Sequence, residues 1–132
     1  MSFPHQVVEF NQRVLNIQQR DKDMLEPAEF DISMKCLQEE LDEFNAAHTA
    51  GDYVGCVDAI IDLMYFGIGV LYKKGLTPEE IEKCMTAVHE ANMEKILGVN
   101  HRRGNGSAAD AIKPEGWVSP EARIIEILDG RM

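Results

Sequence analysis

The spacing of apolar positions is helical along most of the chain, and the two-residue alternation of a half-buried strand is nearly absent. Val7, Val8, Phe10, Val14, Leu15 and Ile17 predict a first helix from about Pro4 to Arg20, with Ser2 as its cap. A polar loop containing Pro27 follows. Ile32, Met34, Leu37, Leu41 and Phe44 predict a second helix that starts near Asp31, with these residues as its buried stripe. Gly51-Asp52 breaks it, and Asp52 can cap a third helix that runs to Lys74 and stops at Gly75. This third helix is apolar almost all round, which predicts the central, most buried position, and Gly67 and Gly69 would admit a neighbouring backbone. Thr77-Pro78-Glu79-Glu80 is a helix start with a cap, a first-turn proline and a capping-box glutamate, and its helix is expected to reach about Leu97. Gly98 to Ser107 reads as a mobile loop, and Ser119-Pro120 opens a last short helix through Leu128. The expected fold is all-α: a single domain over residues 1–132, with a bundle of four main helices at about 4–97 and an irregular extension at 98–132.

Composition narrows the partners. The net charge of -10 argues against a nucleic-acid duplex. The N-terminus lacks the basic and apolar regions of a signal peptide, and the longest apolar run, Leu63 to Tyr72, is about half of what spans a bilayer. Cys36, Cys56 and Cys84 form no CxxC pair, which suits reduced core thiols in a cytoplasmic protein. Met24, Met34, Met64, Met85 and Met93 are expected to fill the core.

Acid placement is the feature that composition alone does not explain. Asp58 and Asp62 sit among Ile60, Ile61, Leu63 and Met64, and desolvating a carboxylate costs several kcal/mol or more. A second cluster, Glu39, Glu40 and Glu43, precedes them. Glu40 and Glu43 are three residues apart and Asp58 and Asp62 four, so each pair shares a helix face. With Gly51 as the apex of a hairpin, Glu40 and Asp62 each lie eleven residues from it, Glu43 eight and Asp58 seven. At about 1.5 Å per residue the two pairs stand at matching heights. Four converging carboxylates predict bound cations, or raised pKa values without them. Oxygen donors favour Mg²⁺, with Mn²⁺ as a substitute. No histidine lies three residues after a glutamate, which disfavours a di-iron carboxylate bundle. Taken alone, Glu39 to Glu43 also fits an ordinary solvated helix face.

These residues resemble the all-α nucleoside-triphosphate pyrophosphohydrolases, the MazG-like and phosphoribosyl-ATP pyrophosphohydrolase-like superfamily. Glu39, Glu40 and Glu43 match its Glu-Glu-x-x-Glu motif. The usual second motif, Glu-x-x-Asp, is met at Asp62, but the position three before it is Ala59; Asp58 takes that role, as in Asp-x-x-x-Asp variants. His89, Asn92, Met93 and Lys95 are similar to a branch signature His-x-x-Asn-Met-x-Lys, and Lys113, Pro114, Gly116 and Trp117 to its Lys-Pro-x-Gly-Trp tail. The resemblance spans roughly residues 31 to 120. It implies Mg²⁺-dependent cleavage of a nucleoside triphosphate to monophosphate and pyrophosphate, by a homodimer or dimer of dimers whose subunits complete each other's sites.

The chemistry assigns Glu40, Glu43, Asp58 and Asp62 as metal ligands, with Glu39 as a further ligand or the base that orients the attacking water. Asn92 and Lys95 could reach phosphate oxygens, although a packing hydrogen bond and a solvated lysine fit them as well. Arg102, Arg103 and Lys113 concentrate positive charge and could fold over the substrate, or form a solvated loop. His89 reads as a packing residue. Trp117 fits an anchor for the tail better than a base-stacking platform, and Phe10 and Asn11 fit the core as well as a base pocket. Phosphoribosyl-ATP hydrolysis in histidine synthesis is the enzymatic alternative. A helical assembly module with structural carboxylates is the non-enzymatic one.

Overall fold

The computed structural model describes residues 1–99 and 109–130. The fold is all-α, with four main helices and a short C-terminal one. They are α1 (Phe3–Arg13), α2 (Pro27–Thr49), α3 (Tyr53–Lys73), α4 (Pro78–Met93) and α5 (Glu121–Asp129). Between α4 and α5 lies an antiparallel pair, β1 (Ile96–Val99) and β2 (Ala109–Ile112), with Ile96 opposite Ile112. The chain divides into two compact units, Met1–Ile81 and Glu82–Met132.

In the first unit α2 and α3 form a helical hairpin and α1 packs on α3. The caps are local devices and stand where the sequence puts them. Ser2 Oγ accepts the His5 N–H, and Asp52 accepts the Gly55 N–H at 2.9 Å. Thr77 and Glu80 bond each other's backbone N–H reciprocally. Gly75 closes α3 at φ +98°, and a Cβ there would lie 2.5 Å from the Asp21 carbonyl oxygen.

The first helix is shorter than its apolar spacing predicts: it ends at Arg13, not Arg20. Asn16 takes a left-handed φ of 57°, and Val14 and Leu15 are exposed. The following segment is bound to the C-terminal end of α3 instead. Tyr72, fully buried, donates its hydroxyl to the Ile17 carbonyl at 2.9 Å and accepts from Gln12 Nε2 at 3.3 Å. Gln19 Nε2 donates to the Gly75 carbonyl at 3.1 Å, and the Asp23 N–H to that of Lys74 at 3.1 Å. These long-range bonds satisfy the backbone that a helix would otherwise have paired. Pro27 is the first residue of α2, four before the expected start, because proline's fixed φ and missing N–H suit that position.

Three expectations about burial are corrected. The inward stripe of α2 is Ser33, Cys36, Leu37, Glu40, Phe44 and Ala47, whereas Ile32, Met34 and Leu41 are exposed. α3 is not the most buried helix: only Ala59, Ile68, Gly69 and Tyr72 are buried, and Val54, Val57, Ile61, Met64 and Phe66 are open. Helices α1 and α2 cover part of its circumference, and its apolar residues continue beyond that cover. A Cβ at Gly69 would lie 3.4 Å from Asn11 Nδ2, while nothing comes within 4 Å of a Cβ at Gly67. The five methionines expected in the core, Met24, Met34, Met64, Met85 and Met93, are likewise exposed. Among the described residues α3 alone is long and apolar enough, by length and composition, to cross a membrane. Asp58 and Asp62 interrupt its apolar run without making the helix polar on average. The cysteines are unbridged and half-buried.

In the second unit α4 ends at Met93, short of Leu97, and β1 begins three residues later. The strands Ile-Leu-Gly-Val and Ala-Asp-Ala-Ile are four residues each and half-built of weak strand formers, so no alternation announces them. Gly98 and Val99, expected in a loop, are part of β1. Trp117 Nε1 donates to the Ala91 carbonyl at 2.7 Å, which anchors the tail to the last turn of α4.

Candidate functional site

Glu40 is the buried acid of the hairpin, 8% exposed, on the face of α2 turned to α3. Glu43 is one turn on and exposed; Asp58 is exposed and Asp62 half-buried on α3. The most strongly opposed carboxylate is therefore the glutamate on α2, with Asp62 on α3 opposed by burial as well. Sequence reasoning missed this because it took Ile32, Met34 and Leu41 for the inward stripe. The 4-3-4-3 spacing of Ser33, Leu37, Glu40, Phe44 and Ala47 was the signal available.

The four acids act on one another. The Glu40 pKa is pushed up to about 7, first by burial, then by a hydrogen bond with Glu43, then by the charges of Glu43, Asp62 and Asp58. Burial raises that of Asp62 as well, with the charges of Asp58 and Glu43 adding to it. The matched heights counted from Gly51 thus bring both pairs into one field. Glu39 is exposed beside them. Glu40 Oε2 is buried and has no hydrogen-bond partner. Such an atom calls for a proton or a cation.

The donor set fits a divalent metal: oxygen ligands only, a buried orphan lone pair and excess negative charge. As the side chains stand, no three Asp, Glu, His or Cys residues among those described are grouped closely enough to hold one. Glu43 and Asp58 are exposed, so their reach is set by side-chain rotation rather than by packing. Ala59, where the usual motif would place an acid, is 2% exposed.

Asn92, exposed, and Lys95, half-buried, lie at the end of α4 and just beyond it; Lys113 is exposed just after β2. All three belong to the second unit, and the acids to the first. Lys95 Nζ and Lys113 Nζ lie 5.2 and 5.1 Å from the centroid of the Trp117 ring. Arg102 and Arg103 lie outside the described residues. His89 is exposed on α4. Phe10 stacks edge-on against Tyr65 at 5.5 Å, and Asn11 is buried with its Nδ2 donating to the Val7 carbonyl. Both are thus held in the packing of α1.

A family model described as phosphoribosyl-ATP pyrophosphohydrolase matches residues 7–92, which include every acid of the site. No curated protein matches the chain.

Proposed function

The chain belongs to the phosphoribosyl-ATP pyrophosphohydrolase family, within the MazG-like all-α superfamily, and on that premise we propose that it cleaves a nucleoside triphosphate to the monophosphate and pyrophosphate with Mg²⁺. The observation that carries this reading is the buried, unpartnered Glu40 Oε2 in the field of Glu43, Asp58 and Asp62. Those four carboxylates would hold the metal. Bound there, Mg²⁺ (or Mn²⁺ in its place) would invert the local charge, polarise phosphoryl oxygens and lower the pKa of a water.

Glu39, exposed and adjacent in sequence, orients the attacking water and takes its proton. Asp58, rather than the residue at 59, completes the acidic set: its charge acts on both Glu40 and Asp62. Lys95 and Lys113 neutralise phosphate oxygens, and Asn92 donates hydrogen bonds to them. A second copy of the chain covers the outward apolar stripes, Phe30, Met34 and Leu41 on α2 and Val54, Val57, Ile61 and Met64 on α3. That gives the exposed face of α3 a protein partner in a cytoplasmic dimer.

Phosphoribosyl-ATP is the second substrate reading, favoured by the description of the matching family. The test is pyrophosphate release from a panel of canonical and modified nucleoside triphosphates and phosphoribosyl-ATP, with Mg²⁺ present. Release from phosphoribosyl-ATP alone would select the second reading. No release from any of them by folded protein overturns both.

A further inference from the structure

Lys95 and Lys113 occupy equivalent places at the open end of the β1–β2 pair. Ile96 and Ile112 are register partners, Lys95 immediately precedes the first and Lys113 immediately follows the second. Directly after Lys113 the chain turns: the Trp117 N–H donates to the Pro114 carbonyl at 3.0 Å, with Gly116 at φ +78°. That turn returns the indole to the two lysines. Its Nε1–H is fixed on the Ala91 carbonyl, which also accepts the Glu94 N–H at 3.3 Å where α4 ends.

Both ammoniums lie over this one ring, at 5.2 and 5.1 Å from its centroid, so they are no more than about 10 Å apart. At that limit two unit charges repel by roughly 0.4 kcal/mol in water, and by more when closer. Each exposed cation–π contact contributes about 0.5–1 kcal/mol against that repulsion. Among the described residues neither lysine is paired with a carboxylate, in a chain of net charge -10. Anchoring the tail requires the indole N–H and its apolar body. It does not require two unneutralised ammoniums on the same ring.

We propose that Trp117 is a positioning residue, whose ring holds Lys95 and Lys113 as a two-ammonium clamp for the polyphosphate of the substrate. The polyphosphate identity rests on the pyrophosphohydrolase reading; the clamp itself rests on the ring and its two cations. A free lysine side chain forfeits about 1.5–2 kcal/mol of rotamer freedom when it is fixed on a ligand. Lysines already held over a ring forfeit less of it on binding.

The test uses the full chain without divalent metal and takes inorganic tripolyphosphate as probe. Trp117 is the one tryptophan of the chain, so its emission reports on the clamp directly. Tripolyphosphate should change that emission saturably, and the double variant Lys95→Met/Lys113→Met should abolish the change. By calorimetry Trp117→Leu should weaken tripolyphosphate binding about tenfold, whereas Trp117→Phe, which keeps a ring face, should stay within about threefold. With a hydrolysed nucleotide and Mg²⁺, Trp117→Leu should raise KM about tenfold and leave kcat within about twofold.

An anchoring role alone would make the leucine and phenylalanine variants alike, both losing the bond to Ala91 and neither losing affinity. That result overturns the clamp, as does unchanged affinity in the double lysine variant. Should Trp117→Leu fail to fold by circular dichroism, the lysine variants, which leave the ring in place, decide. Metal-free binding involves no turnover. Clamp-dependent binding without hydrolysis of any nucleotide would remove only the functional reading. Hydrolysis with an unimpaired Trp117→Leu would remove only the clamp.

Discussion

Replacing Glu40 by glutamine removes a charge that the hairpin makes costly and keeps the shape that fills the site. Burial and three neighbouring carboxylates lift the Glu40 pKa from an ordinary 4.5 to about 7. At about 1.4 kcal/mol per pH step, this difference corresponds to roughly 3 kcal/mol. The direction follows from proton counting. Between the two pKa values the folded chain binds more protons than the unfolded one, so stability falls as pH rises. The penalty is absent below pH 4.5 and complete above about 7. Glutamine mimics the protonated form at every pH. Without divalent metal, Glu40→Gln should match the parent near pH 4.5 and exceed it by up to about 3 kcal/mol at pH 8. For a chain of 132 residues that is a rise in Tm of about 10 °C.

Thermal unfolding followed by circular dichroism, in chelator and across that pH range, measures the difference directly. The difference between the two proteins cancels the titration of the remaining acids to first order. Adding Mg²⁺ at pH 8 should reverse the order. A metal at about a thousand times its Kd stabilises the parent by about 4.1 kcal/mol, more than the deficit of about 3 kcal/mol, and the variant has lost the ligand that gives that gain. A gain from Glu40→Gln that is the same at pH 5 and pH 8 would refute the account. So would a variant less stable than the parent at pH 8 in chelator, since the Glu40 carboxylate would then be held by partners rather than opposed by them.

Asp58→Asn should lower pyrophosphate release by roughly 100-fold or more, as loss of a metal-site carboxylate does. Ala59→Asp, which restores the usual spacing, should not rescue it; it should cost about 3 kcal/mol or more in denaturant unfolding, because residue 59 is 2% exposed. Ile61→Lys, on the outward stripe of α3, should convert a two-chain mass to a one-chain mass by light scattering, and an unchanged mass would place the contact elsewhere. Tyr72→Phe should cost about 1–2 kcal/mol in the same unfolding assay, because it strips the Ile17 carbonyl of its donor. No loss there would mean that the strap from residue 14 to 26 does not depend on this bond.

What was legible in the chain is what is determined locally. Ser2, Asp52, Thr77 with Glu80, and Gly75 each act within one turn, and each stands where the residue types put it. The end of α1 was not legible, because Val14, Leu15 and Ile17 continue the helical spacing. What ends the helix is a set of bonds to Tyr72, Lys74 and Gly75, more than fifty residues away. The β1–β2 pair was not legible either, because its four-residue strands rest on pairing with each other and not on propensity. The matched heights of the acids were legible by counting from Gly51, since helix rise is constant. Their burial was not, since apolar spacing cannot say whether a stripe faces its own chain or another.

That ambiguity bears on the site itself. Successive helix residues advance by about 100°, which places Glu43 about 60° round α2 from the inward Glu40. On α3 the inward point is Ala59, with Asp62 about 60° and Asp58 about 100° from it, both on the same side. Val54, Val57, Ile61 and Met64 form the opposite, outward stripe of that part of α3. The acids therefore run along the seam between an apolar face used within the chain and one left open. A carboxylate at position 59 would be enclosed by the helix pair and out of reach of solvent. At 58 it stands at the margin, near enough to raise the pKa of Glu40 and Asp62 and exposed enough to meet a hydrated cation. Of these two neighbouring positions, 58 is the one that leaves a carboxylate in solvent on the same side of α3 as Asp62.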